Sequence, residues 1–209
     1  MLPDTMYQEA RKKHSIEGYP VSKDGKVYPL ELTSNVVKEF PTRDNVVVLS
    51  VGGNDGRVCL PLLSDLSKNY KDVIEKMLQR GFKENYVNII ESFLKITNKV
   101  IVVLVYKPYK MLVPCCAGQL HKVYDFFMEF YREICKKYKL PLIDLSITFD
   151  YNDPTHYGEG EGDSPIEPSN KSSQFIADLV TNVIDDFKFG VDEAKIYYGC
   201  EQIVNGKIN

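Results

Sequence analysis

The sequence predicts an α/β fold built on a parallel sheet, and three observations carry that reading. Two valine-rich runs, Val46–Val51 and Val100–Tyr106, are apolar on nearly every residue, the pattern of strands buried on both faces. Each is followed by apolar residues recurring at helical spacing. A third, shorter strand at Leu140–Leu145 and a last helix from Ser169 to Phe187 continue the alternation, which implies parallel strands joined by crossovers.

Taken in order, residues 1–44 are the divergent part of the chain. Met6 to Lys13 suits a short polar helix, Ser22-Lys23-Asp24-Gly25 a turn, and Lys26 to Leu32 a short strand that Pro29 confines to an edge. Val36 to Phe40 suits a short helical piece closed by Pro41. After the first valine-rich strand, Leu62, Leu63, Leu66, Tyr70, Val73, Ile74, Met77 and Leu78 share one helical face, which Gly81 ends. Tyr86, Val87, Ile90, Phe93 and Leu94 repeat the pattern. A longer helix carries Leu120, Val123, Tyr124, Phe127, Phe130, Tyr131, Ile134 and Tyr138, an aromatic stripe read as core rather than as a cofactor contact. In the last helix Phe175, Ile176, Leu179, Val180, Val183 and Ile184 point inward, with Ser169 as the cap.

Length and composition bound the rest. A chain of 209 residues fits one domain over 1–209, and no repeat or linker divides it. Hydrophobic content of 44% and charge of 26% are those of a soluble globular protein. A net charge of −3 gives no basic field for nucleic acid. No apolar run approaches the roughly 20 residues of a membrane span, and the polar N-terminus lacks a signal peptide's apolar segment. The expectation is a cytoplasmic protein. Five cysteines form no disulfide framework, and the three histidines have no metal-site spacing to a cysteine. Cys115-Cys116 lacks the spacing and the neighbouring base of a reactive pair.

Two stretches carry candidate chemistry. Gly52-Gly53-Asn54-Asp55 breaks the first buried strand abruptly. It reads either as a turn, since Gly and Asn tolerate positive φ, or as a place where backbone approaches a ligand beyond a strand's carboxyl end. The acidic loop over 149–168 carries six carboxylates (Asp150, Asp153, Glu159, Glu161, Asp163 and Glu167), one histidine, His156, and no Lys or Arg. A loop of that length is functional or solvated. Its acidic spacing does not match a calcium-binding EF-hand, and no metal is expected there.

A buried strand ending in Gly-x-Asn-Asp, two further β/α units, and a Pro-containing loop opening the last helix resemble the SGNH (GDSL-type) hydrolase family, over roughly residues 45–187. Gly52-Gly53-Asn54-Asp55 is similar to that family's third sequence block, and Ile166-Glu167-Pro168-Ser169 to its fifth. The resemblance implies a three-layer α/β/α sandwich of flavodoxin-like layout that cleaves acyl or acetyl esters through a serine nucleophile, without metal or cofactor. It implies that Asn54 donates to the oxyanion, a role worth about 3–4 kcal/mol, and that Gly52 permits close substrate approach. The fifth block's base position then carries Glu167 and its orienting position Ser164, with Asp163 one residue away and His156 the loop's alternative base. No Gly-Asp-Ser precedes residue 45; the motif at Gly162-Asp163-Ser164 follows no strand and is read as coincidence. The N-terminal strand is thus altered or missing. Two functions follow as expectations: an ester hydrolase that is impaired or N-terminally incomplete in this chain, or a non-catalytic relative that keeps the pocket as a module binding a small acyl or ester-like ligand or a protein. An absent first strand would leave a sheet edge open, to be filled by Lys26–Leu32 or by self-association.

Overall fold

A computed structural model describes residues 45–52, 69–107, 109, 117–158, 167–199 and 204–207. Over these, β1 (Val47–Leu49) is followed by α1 (Tyr70–Gln79), α2 (Phe82–Leu94), β2 (Val100–Leu104), α3 (Ala117–Tyr138) and β3 (Leu142–Asp144). The chain continues through a single turn, α4 (Leu145–Thr148), a 3-10 turn at Pro154–His156, α5 (Asn170–Asp186), β4 (Lys195–Tyr198) and β5 (Val204–Lys207).

The five strands lie side by side in sequence order. β1, β2, β3 and β4 are mutually parallel, with Val48 opposite Ile101, Val103 opposite Ile143, and Ile143 opposite Tyr197. β5 returns antiparallel to β4, pairing Ile196 with Gly206. The three strands read from the sequence are therefore neighbours and parallel. β4 and β5 had no counterpart in that reading.

Every residue of β2 is buried, and its alternation divides the core. Val100, Val102 and Leu104 face a cluster formed with Val73 and Met77 of α1, Phe82, Tyr86 and Ile90 of α2, and Val123, Phe127, Phe130 and Tyr131 of α3. Ile101 and Val103 face a second cluster with Ile143, Phe149, Tyr197, and Leu179 and Val183 of α5. Helices thus cover both faces of a mostly parallel sheet, consistent with a three-layer α/β/α sandwich.

The helices start where local chemistry says they should. Asn69 accepts from the backbone N–H of Lys71 at 2.8 Å while Asp72 accepts from the N–H of Asn69 at 2.7 Å, a reciprocal cap for α1. Ser169 caps α5 through the N–H of Ser172 at 3.2 Å, and Asp144 caps α4 through the N–H of Ser146 at 3.0 Å. No helix of the described residues is long and apolar enough to cross a membrane. β1 and β5 are the edge strands of the described sheet, and Val48 on the α5-facing side of β1 is 45% exposed. Lys26–Leu32, the segment expected to fill that edge, lies outside the described residues.

Candidate functional site

In a parallel sheet the loops beyond the strands' carboxyl ends share one edge, and among the described candidates Gly52 and Glu167 lie along it. Val51 and Gly52 leave β1, Tyr106 and Lys107 leave β2, and α4 leaves β3. Gly52 holds φ at +110°, and a Cβ built on it would stand 2.4 Å from the Tyr131 hydroxyl. That hydroxyl donates to the carbonyl of Val51. The glycine is therefore demanded by backbone conformation and by the close approach of α3. Gly53, Asn54 and Asp55 lie outside the described residues, as do Asp163 and Ser164.

The acidic loop is tied at its base. Gly158 N–H donates to Glu167 O at 2.8 Å, Ser169 N–H donates to His156 O at 3.0 Å, and Tyr157 bridges to Pro168. Those bonds carry Glu167 to the end of β2, where the Tyr106 hydroxyl lies 3.5 Å from Glu167 Oε2. Burial, reinforced by the Glu167 charge, pushes the Tyr106 phenol well above its usual range, so it stays protonated as a donor. Glu167 itself is exposed. Lys107 and Glu167 thus sit at the same end of the sheet, the arrangement the β/α order predicts.

His156 is buried, at 8% exposure. Its Nδ1 accepts from the backbone N–H of Asp150 at 3.0 Å. A neutral imidazole accepting at Nδ1 carries its proton on Nε2, which lies 3.9 Å from Asp153 Oδ2. The lone pair that a base would use on a serine is committed to the loop's own backbone. Asp150 and Asp153 are engaged in turns: the N–H of Asn152 donates to Asp150 Oδ1 at 2.9 Å, and that of Thr155 to Asp153 Oδ1 at 2.9 Å. These bonds hold both carboxyls below the usual carboxylate range. Asp150 and Asp153 are therefore spent on local structure.

A carboxylate the sequence did not single out, Asp144, lies fully buried at the end of β3. It accepts from the Ser146 hydroxyl at 2.6 Å and meets Arg132 Nη2 at 3.5 Å, a capping and ion-pair role. Among the described residues no group of three or more His, Cys, Asp or Glu is placed to hold a metal ion.

Other site residues emerged only from the fold. Tyr157 is buried, and its hydroxyl donates to Lys107 O at 2.6 Å. Its ring contacts Tyr106 and Tyr109 at centroid distances of 6.1 and 5.7 Å. Tyr151 packs edge-on against His121 at 4.5 Å, and Lys107 Nζ lies 5.8 Å from the Tyr151 ring centre. These residues are scattered from 106 to 157 with no motif spacing; the only signal was their nearness to strand ends. No family model matches the chain, and neither curated proteins nor solved structures yield a significant match.

Proposed function

We propose that the chain is an SGNH-like relative of acyl-ester hydrolases that retains a carboxyl-edge binding site for a small acyl or ester-like ligand and is impaired in turnover. The observation that carries the reading is the convergence of Gly52, Tyr106, Lys107 and Glu167 at one end of adjacent parallel strands. In this reading Asn54 supplies the oxyanion donor beyond Gly52, and Glu167 occupies the base position of the fifth block. The Asp150 N–H donated to His156 Nδ1 supports a structural role for His156 rather than that of the missing base. The non-catalytic alternative is favoured by that same hydrogen bond. Self-association through the β1 edge belongs to the proposal as its partner, read out as concentration-dependent mass in sedimentation.

The test is hydrolysis of short-chain nitrophenyl esters by the full chain and by its Asn54→Ala, Ser164→Ala and Glu167→Gln variants. The expected result is negligible turnover throughout, since donors alone provide neither nucleophile nor proton acceptor. Robust turnover abolished by Ser164→Ala would instead make Gly162-Asp163-Ser164 the nucleophile motif. Robust turnover indifferent to all three substitutions would place the site elsewhere.

A further inference from the structure

We draw no further inference here: the strongest candidate, the apolar α5-facing side of the edge strand β1 around Val48, carries nothing beyond the self-association already proposed, because nothing in the structure shows what covers it.

Discussion

Gly52 and Tyr131 define each other. The positive φ of Gly52 is a conformation that a side chain resists, and the Tyr131 hydroxyl occupies the space that a Cβ would take. Gly52→Ala should therefore lower unfolding free energy by about 2–3 kcal/mol in denaturant titrations. Tyr131→Phe should cost about 1 kcal/mol through loss of the bond to Val51 O. In the Tyr131→Phe background the alanine should be less costly, because the clashing oxygen is gone while the backbone strain remains. Strict additivity of the two changes would mean that the close approach is not what selects glycine. The sequence marked Gly52 by its place after a valine run. It could not distinguish a glycine required by a ligand from one required by a tyrosine 79 positions downstream, since that contact exists only after α3 docks.

At the scale of elements, the strand β2, buried on both faces, and helices with strong apolar faces were legible because their patterns are local, whereas β1, expected to be buried on both faces, exposes Val48. β2 and α3 fall where periodicity places them, and Ser169 caps α5. β4 was not legible: Lys195-Ile-Tyr-Tyr198 carries a lysine whose charge is absorbed by Asp186 and Asp192, partners brought in by α5 and by the turn after it. Likewise the acidic loop read as open chain, whereas its two ends are joined by backbone bonds around His156. The imidazole acts there as an acceptor for the Asp150 N–H, and no other residue near it was marked for that task by spacing. His156→Ala should leave this N–H unsatisfied, costing about 1–3 kcal/mol and raising amide exchange at Asp150 and Gly158. His156→Gln, whose carbonyl can accept the same bond, should restore part of the protection. Exchange unchanged in His156→Ala would show that the loop is held by the Tyr157–Pro168 bridge alone.

For the whole molecule, the shifted groups predict a stability plateau bounded on both sides of neutrality. His121 has a depressed pKa in the fold, so below its ordinary value of about 6.5 the unfolded chain takes up a proton that the folded chain resists, and stability falls as pH drops. Asp150, Asp153, Asp186 and Asp192 are also depressed, chiefly by hydrogen bonds from backbone or from Tyr197. Their contribution is present above about pH 4, the unfolded value, and is lost as pH falls further through the folded pKa values. On the alkaline side the signs reverse in cause but not in outcome. Burial raises the Cys135 thiol and the Tyr86, Tyr124, Tyr157 and Tyr197 phenols, so the unfolded chain loses protons first, from about pH 9 upward, and stability declines there. Thermal melts across pH should therefore give a broad maximum from about pH 6.5 to 9, a shallow acid step, and a steeper fall below about pH 4. His121→Gln should erase the shallow step and leave the steeper one in place. A step near pH 6.5 that survives this substitution would assign the proton to another histidine.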